Sequence, residues 1–463
     1  MTRIARIVAV ASLWPVLALT TLAGSAAAQK QLLEVENGQA TKVLQVADDG
    51  GFVVKGSFDA GTIPATGGGV RLMWYPGKAA LRAGLVAAAE WDDANIGPGS
   101  IALGVNTIAN GGNSTALGTQ TMASGGNSTA LGAQTIANGG NSTAMGVGTT
   151  ASGPGSTALG RGTTASGFNS TATGNASLAS GESSTALGNQ TTASAFGSTA
   201  TGNGTTASGH SATAMGIGSV ASGGYSTAMG DNAKSIGQVA VAMGRGTAAS
   251  GDFSTAMGDQ TTASGIGSTA MGVNTSALGF GSVAMGSHAS AAGAGSFVFA
   301  DRSSTQAATA SDNQFLVRAH GGIGFNSGTN IGCDLPAGVG AWACTSSRLA
   351  KEGFEDMNGE AVLAKLARIP IQRWSYLGTR AAHVGPFAED FWAAFGLGEG
   401  STTITTVDAD GIALLGVQTL ERRTAELRAE NVELRVANDE LRTGHADILR
   451  RLEALEADRR RPR

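Results

Sequence analysis

The hexapeptide NSTALG at 113–118 returns at 127–132 and, as NSTAMG, at 141–146. Its closing glycine recurs every 14 residues from Gly104 to Gly286, in fourteen copies without a slip. Alanine stands two residues before each of these glycines, and leucine or methionine stands one before in twelve of the fourteen. A register held this strictly predicts stacked coils rather than low-complexity disorder.

Alternation within the phrase predicts a short strand. Ser114, Ala116 and Gly118 fall on one face, and Thr115 and Leu117 fall on the other. Turn formers such as Gly-Gly-Asn follow, and these residues accept positive φ. A second Ala-x-Gly lies seven residues later, so each coil has two strands and two turns. One large apolar side chain per coil is a thin core, which predicts partner chains, and we expect a homotrimer.

The Ala-φ-Gly…Ala-x-Gly repeat over 101–300 resembles the head of trimeric autotransporter adhesins, the YadA-like head. The resemblance implies a left-handed parallel β-roll with three chains side by side, and a host-surface, matrix or glycan ligand as partner. That family ends in a membrane β-barrel anchor, whereas this chain ends in a charged coil. We therefore expect a fibre that is released or held by another protein.

Residues 1–28 have the pattern of a secretory signal peptide. Arg3 and Arg6 precede an apolar run over 7–22, and small residues lead to a cleavage point after Ala28. A transmembrane helix is the alternative, but the run is short for one. Since no later segment can span a membrane as a helix, we expect a secreted or cell-surface protein.

The regions beside the repeats predict structure rather than chemistry. Residues 29–100 alternate apolar and polar side chains and predict short strands that lead into the roll. The aromatic cluster at 70–78 fits packing there better than a ligand surface, and Asp92 and Asp93 fit a solvated turn. Residues 301–345 predict a neck that closes the roll.

Cys333 and Cys344 are the two cysteines of the chain. In an exported protein a disulfide over this short loop is one interpretation. Their spacing is not that of a metal site, and a catalytic cysteine would need a positioned base.

The net charge and the small number of charged residues in the roll argue against nucleic-acid binding, metal binding and glycan hydrolysis. The net charge of −4 gives no reason to expect nucleic-acid binding, and positions 100–300 carry only seven charged residues. The roll lacks a nucleophile–base pair and metal-ligand spacing, so we expect no cofactor and no metal. Glycan hydrolysis normally needs paired carboxylates, which the charge-poor roll does not offer.

Composition changes sharply after Cys344, since residues 346–463 hold 36 charged side chains among 118. The phrases SSRLAKE at 346–352, IPIQRWSY at 369–376 and HVGPFAEDF at 383–391 together resemble the intramolecular chaperone of endosialidases, the peptidase S74 family. The resemblance implies a small α+β chaperone domain over 346–418.

The same resemblance implies self-cleavage. The family motif Ser-Asp-x-x-x-Lys makes Ser346 the nucleophile and Lys351 the base, and Thr345–Ser346 is the bond that breaks. His383 matches the motif histidine and supports the site or the fold. A serine hydroxyl needs a neighbour to take its proton, and a lysine does so when burial or a nearby cation lowers its pKa.

One residue departs from this motif. Ser347 stands where the family has Asp, and cleavage is slow or absent if that Asp orients the turn or the lysine. Arg348 is a candidate for the nearby cation. Without the motif, Ser346 and Lys351 would be two ordinary surface residues.

A heptad repeat over 419–458 predicts an α-helical coiled coil. Its apolar positions are Leu420, Leu427, Leu434, Leu441, Ile448 and Leu455. The alternative for this segment is a dimeric zipper, and the roll upstream favours a trimer. Polar Asn431 and Asn438 weaken the coil, as suits a template that assembles three chains and then leaves.

The sequence therefore predicts a mainly β, exported, trimeric fibre with a self-releasing chaperone. The alternative is a protein derived from a phage tail fibre, or a glycan-binding surface protein with a non-cleaving trimerisation domain. We expect no turnover enzyme in the roll, and the enzyme question is confined to a single self-cleavage by the chaperone domain.

Overall fold

The computed structural model describes residues 31–36, 42–47, 51–303, 305–309, 311–329 and 331–460. The signal peptide predicted over 1–28 lies outside these residues. The chain forms two compact units, one containing the repeats and the other containing the chain from Cys344 onward.

Each repeat forms one coil with a long and a short strand. The long strands are Ile101–Val105, Thr115–Thr119, Thr129–Ala133, Thr143–Val147, Thr157–Arg161, Thr171–Asn175, Thr185–Asn189, Thr199–Asn203, Thr213–Ile217, Thr227–Asp231, Val241–Arg245, Thr255–Asp259, Thr269–Val273, Val283–Ser287, Phe297–Ala300 and Phe315–Arg318. The short strands are Ile108–Ala109, Met122–Ala123, Ile136–Ala137, Thr150–Ala151, Thr164–Ala165, Leu178–Ala179, Thr192–Ala193, Thr206–Ala207, Val220–Ala221, Lys234–Ser235, Ala248–Ala249, Thr262–Ala263, Ser276–Ala277, Ala289–Ala291 and Ala307–Thr309.

Every strand pairs in parallel with its equivalent one coil away. Ala116 lies beside Ala130, Leu117 beside Leu131 and Gly118 beside Gly132. The result is a β-solenoid with fifteen short strands in one sheet, which confirms the predicted mainly β, repeat-built fold.

The interior of the coil is lined by small side chains. Ser114, Ala116, Thr121 and Ala123 are fully buried, and their equivalents repeat along the roll. Leu117 and its equivalents lie on the other face of the long strand and are half-buried or exposed. The alternation was predicted correctly, but the leucine and methionine line is not the core of the coil. A coil this narrow holds two alanines rather than one large side chain.

Two glycine ladders let the coils stack closely. At Gly118, where φ is 125°, an added Cβ would lie 1.9 Å from the carbonyl oxygen of Gly132. At Gly125 an added Cβ would lie 1.9 Å from the carbonyl oxygen of Gly139. Both glycines of the repeat are therefore required by contact with the next coil, and not only by the turns.

The turns occupy the left-handed region, as the sequence predicts. Asn113 has φ of 56° and Gln120 has φ of 52°, one at each turn of the coil. The Asn113 side chain donates to Asn127 Oδ1, and Asn127 donates in turn to Asn141. Amide ladders therefore run along the outside of the turns.

The chain before the repeats forms one small antiparallel sheet and an antiparallel strand pair that extends the long sheet of the roll. Strands Gln31–Glu36, Lys42–Ala47 and Phe52–Val54 form the first. Gly69–Tyr75 pairs with Ala80–Val86, which pairs in parallel with Ile101–Val105 and so begins the roll. A 3₁₀ turn at Pro76–Lys78 joins this strand pair, and a second at Asp93–Asn95 lies between the pair and the roll.

Packing accounts for two of the aromatic residues of this region, Tyr75 and Trp91. Met73, Tyr75 and Trp91 are buried in one cluster, and the Trp91 indole donates to the Thr107 carbonyl at 2.8 Å. The packing predicted for the cluster at 70–78 therefore holds for Met73 and Tyr75, whereas Trp74 is 38% exposed. Asp93 forms an ion pair with Lys78 at 3.0 Å.

A buried arginine closes the first coil. Arg82 lies beside Ala102 in register, so it continues the alanine column beyond the repeats. Its guanidinium donates to the carbonyls of Leu81, Ser100 and Ala109 and to the Ser100 hydroxyl. Burial lowers the pKa of Arg82 to about 10, so the group stays protonated at neutral pH.

The roll continues past residue 300, where the sequence predicted a neck. Phe297–Ala300 pairs in parallel with Phe315–Arg318 in one longer coil. The backbone N–H of His320 donates to the Asp301 carboxylate and holds the pKa of that group well below its usual range. Strands Ile323–Gly328, Ile331–Leu335 and Ala343–Cys344 follow.

The second unit contains three helices, a hairpin and a 3₁₀ turn. The helices are α1 (Gly359–Leu366), α2 (Ala388–Phe395) and α3 (Thr406–Arg459); the hairpin strands are Gln372–Trp374 and His383–Gly385; the 3₁₀ turn is Arg348–Ala350. Val362, Phe391 and Ile412, one from each helix, form the small core.

Helix α3 begins at Thr406, earlier than the coiled coil predicted from 419. The Thr405 hydroxyl caps it by accepting from the Asp408 N–H at 3.1 Å. The first turns pack on α1, where an added Cβ at Gly359 would lie 2.0 Å from Thr419 Oγ1.

Beyond these turns the heptad side chains of α3 are exposed. Leu427 is 57% exposed and Leu441 is 74% exposed. Among the described helices, none combines the length and apolar character needed to cross a membrane.

Candidate functional site

A single 3₁₀ turn brings the predicted nucleophile and base together. The turn at Arg348–Ala350 folds the chain back between Ser346 and Lys351. As a result, Lys351 Nζ lies 2.8 Å from Ser346 Oγ and donates a hydrogen bond to it. Both side chains are exposed in the single chain.

Ser347 caps this turn. Its hydroxyl accepts from the Leu349 N–H at 3.2 Å, and the Ala350 N–H donates to the Ser347 carbonyl at 3.0 Å. Aspartate and serine are both good residues at the start of a helical turn because each supplies a side-chain acceptor. The departure from the family motif at Ser347 therefore preserves the cap.

The residue before Ser346 is held in place by a backbone hydrogen bond. The Thr345 N–H donates to the Gly332 carbonyl at 2.9 Å. This hydrogen bond fixes the residue whose carbonyl carbon Ser346 would attack. No sequence pattern predicted this contact, because Gly332 lies in a strand of ordinary composition.

Arg348 makes a different contact from the one that the sequence suggested. Its guanidinium lies 5.6 Å from the centre of the Phe354 ring, a cation–π distance. Phe354 was not identified from the sequence, although an aromatic residue six positions after a basic one in the motif could have suggested it.

His383 lies in an aromatic cluster on the hairpin. Its ring centre is 4.9 Å from that of Trp374 and 5.6 Å from that of Tyr376. Trp374 and His383 are directly paired across the two strands. These contacts assign His383 a packing role in the hairpin, and its part in the reaction stays a prediction.

Ion pairs join α1 to α3 within the same unit. The Glu360 carboxylate contacts the guanidinium groups of Arg423 and of Arg422, the latter at 3.0 Å. Hydrogen bonds from Arg423 and then Arg422 lower the pKa of Glu360.

The remaining site predictions concern cysteine and metal. Both cysteines are disulfide-bonded in the structure, so neither presents a thiol. Over the described ranges, no group of three histidine, cysteine, aspartate or glutamate side chains is arranged to hold a metal.

The arrangement can perform one reaction, attack by a serine on the peptide bond at its own amino side. A nucleophile at 2.8 Å from a nitrogen base has the geometry that proton transfer needs. The lysine must be neutral to accept that proton, and desolvation favours the neutral form of an amine. The exposed pair would gain such desolvation from chains packed over it.

Two family models match the chain. The YadA head domain repeat matches ten segments between residues 96 and 299. The chaperone of endosialidase matches residues 346–396, beginning at Ser346 and including Lys351 and His383. The chain therefore joins YadA-like head repeats to an S74 chaperone domain, as the sequence predicted. No curated protein matches the chain.

Proposed function

Because YadA head repeats are joined here to a chaperone-of-endosialidase domain, we propose that the protein is an exported, adhesin-like trimeric fibre whose chaperone domain releases itself. The fibre is the roll, and residues 346–460 assemble it. Export fits the surface or secreted character of YadA-like proteins and rests on the signal peptide predicted over 1–28.

Two unpartnered lines of side chains support the trimer. The leucines of α3 are exposed along the helix, and a lone helix with such a stripe is marginal in water. On the roll, the outward line of Leu117 and its equivalents is half-buried or exposed. Burying one leucine or methionine per coil between chains contributes about 1.5–3 kcal/mol.

The observation that carries self-cleavage is the 2.8 Å contact between Lys351 Nζ and Ser346 Oγ. Ser346 Oγ attacks the carbonyl carbon of Thr345 and gives its proton to neutral Lys351. The bond from Thr345 carbon to Ser346 nitrogen breaks, and that nitrogen takes the proton from Lys351 to become a free amine. Water then hydrolyses the ester, leaving a Thr345 carboxylate and a restored Ser346 hydroxyl.

The proposed sequence of events is assembly before cleavage. Pairing between coils in a β-roll is slow to start without a template, and three tethered chains have a high local concentration. Packing of three chaperone domains would also desolvate the exposed Ser346–Lys351 pair. Loss of the chaperone after assembly then leaves the fibre without its route back to separate chains.

The test is expression of the full chain beside Ser346→Ala and Lys351→Met, with Lys365→Met as the matched control. Gels and mass spectrometry should show a new amino terminus at Ser346 in the wild type and the control. Both site variants should stay intact, and light scattering should show trimers in all four.

An intact wild-type chain that is still trimeric would remove cleavage and leave the non-cleaving trimerisation domain. Cleavage in Ser346→Ala would contradict the assigned nucleophile. A further variant, Ser347→Asp, restores the family residue and should cleave within a few-fold of the wild-type rate, because Ser347 already caps the turn.

A further inference from the structure

The side chains at one corner of the roll change in type from its first coils to its later ones. This corner is the turn that joins each short strand to the next long strand. Up to Gly155 it carries glycine, asparagine and proline. From there on it carries five exposed aromatic side chains, between 48% and 67% exposed: Phe168, Phe196, Tyr225, Phe253 and Phe280. We call these five residues the ring row.

The fold does not explain the ring row. Tyr225 and Phe253 have φ of 57° and 58°, at the position that Asn113, Asn127 and Asn141 hold in earlier coils. Asparagine and glycine tolerate this left-handed region, whereas bulky side chains disfavour it. Both rings are more than half exposed, so packing within the coil does not offset that cost. Phe168, Phe196 and Phe280 lie one residue earlier in the turn, outside the positive-φ positions, and they too are exposed.

The rings are regularly spaced. Each ring lies two coils from the next, and parallel strands are about 4.8 Å apart, so the spacing is about 10 Å. The coils between them carry Glu182, His210, Gln238 and Ile266 at the same corner. His210 bridges its neighbours, with ring centres 5.1 Å from Phe196 and 5.2 Å from Tyr225.

The backbone at this corner is already paired. The Tyr225 N–H donates to the His210 carbonyl at 2.7 Å, and the Phe253 N–H donates to the Gln238 carbonyl at 2.8 Å. A ligand therefore cannot add as a β-strand here. Recognition has to use ring faces together with the polar side chains between them.

Charge narrows the choice of ligand. The corner positions from Phe168 to Gly281 include no lysine or arginine, and they include the acids Glu182 and Asp252. Anionic lipids, nucleic acids and acidic glycans are disfavoured by such a surface. The charge of this surface therefore favours a neutral ligand over an anionic one. The spacing of the rings favours a long, narrow ligand with a repeat of about 10 Å.

We propose that the ring row binds an extended neutral polysaccharide, with one ring stacking on one sugar of each successive disaccharide. The spacing of alternate coils is close to the length of a disaccharide in an extended, β-linked chain. Sugar faces carry C–H groups that pack on aromatic rings, and their hydroxyls suit Glu182, His210 and Gln238. Each contact is weak, but five in line act together.

The loss-of-function test replaces all five rings by residues that the same corner uses elsewhere. The variant is Phe168→Gly, Phe196→Gly, Tyr225→Asn, Phe253→Asn and Phe280→Gly in the full chain. Binding to cellulose and to chitin suspensions should weaken by more than about tenfold. The melting temperature should change little, because earlier coils carry glycine and asparagine at these same positions.

The gain-of-function test extends the series. Gly140→Phe and Gly112→Phe add rings two and four coils before Phe168, where an added Cβ meets nothing nearer than 4.0 Å, and should tighten binding. Gly126→Phe, the matched control, lies one coil out of phase in equally open space and should tighten it less.

Other results would overturn the proposal. These are wild-type protein that binds neither polysaccharide, a five-ring variant that binds as well as wild type, and retention on phenyl-agarose alone, which would indicate an apolar protein partner. Loss of the trimer in the five-ring variant would make the row a contact between chains. Cleavage at Ser346 and trimer mass are measured on the same samples, so protein that assembles, cleaves and does not bind contradicts only this inference.

Discussion

The roll and helix α3 are both repetitive, yet only the roll completes an interior within one chain. Ala116 and Ala123 are fully buried in the single chain, whereas Leu427 and Leu441 of α3 are more than half exposed. The period explains the difference. A 14-residue coil returns to pair with itself, while a heptad helix presents its apolar stripe to whatever lies outside it.

With the proposed trimer, the heptad helix would need partner chains for its stability, and the roll would need them only to start the stacking of its coils. The heptad part of α3 has no such interior in the single chain and would gain its burial from the partner chains proposed above. The roll has main-chain hydrogen bonds and an alanine core once its coils are stacked, but the first coils must meet correctly. This contrast is consistent with the proposed roles, in which the helical unit acts once in assembly and the roll persists as the fibre.

The largest effect is expected from breaking the helix stripe. Leu427→Asp with Leu434→Asp places charges on the seam and should abolish trimers, fibre assembly and cleavage together. Light scattering and a gel of the full chain measure all three. Val432→Asp, at an exposed position outside the seam, should leave them unchanged, and equal damage from both variants would show that the seam has no special role.

A smaller but still large effect is expected within the roll from Gly202→Ala. Its φ is 125°, and an added Cβ would lie 2.0 Å from the Gly216 carbonyl oxygen. Strain and displacement of the next coil should cost about 3 kcal/mol, seen as lost hydrogen-exchange protection over neighbouring coils. Gly140→Ala, with open space around its Cβ, is the control and should change little.

An intermediate effect is expected from acid in the chaperone domain. Arg423 and Arg422 lower the pKa of Glu360 in the folded state. The stabilisation is therefore present above the unfolded pKa of about 4.3 and is lost as pH falls through the lower folded value. The measurement is the unfolding of α1 and α3 by circular dichroism, in a chain that carries Ser346→Ala so that it stays intact. Below about pH 4, the stability of this protein should depend less on pH when Glu360→Gln is added. Equal dependence in both proteins would contradict the assignment.

The smallest effect is expected at an irregularity in the second glycine ladder. Ala195 stands where neighbouring coils have Gly181 and Gly209, and its N–H pairs with Ser198 Oγ at 3.2 Å. The Gly181 N–H instead donates to the Ala193 carbonyl. Ala195→Gly should relieve crowding and stabilise by less than about 1 kcal/mol, because glycine costs backbone entropy. Slower hydrogen exchange near this coil would show it, and faster exchange would contradict it.

The sequence predicted the stacking of the roll well because its signal is repeated fourteen times. Alternation identified two faces of each strand but not which face lies inside. Leu117 is the larger apolar side chain and suggested the core, yet only Ala116 fits between two strands this close together. The end of the roll was missed because the last coil, from Phe297 to Phe315, breaks the period.

In the second unit the sequence predicted the long helix but not its packing or the contacts of the candidate site. The heptads predicted α3, but its first turns, with Ile412 and Thr419, pack on α1 and do not follow the seam. The approach of Ser346 and Lys351 came from the motif, since spacing alone does not predict a 3₁₀ turn. The contact of Thr345 with Gly332 depends on tertiary structure, and the local contacts of Ser347 and Phe354 were not predicted from the sequence.

Arg82 has a consequence for the length of the fibre. A stack of identical coils has no intrinsic end, and an uncovered end is a template on which a second roll could continue. Arg82 places a protonated guanidinium in the alanine column at the first coil and takes up the carbonyls that it reaches there. Arg82 is itself fully buried, and strand Gly69–Tyr75 pairs antiparallel with the strand that carries it. The edge on which a further parallel coil would pair is therefore already occupied at this end of the roll.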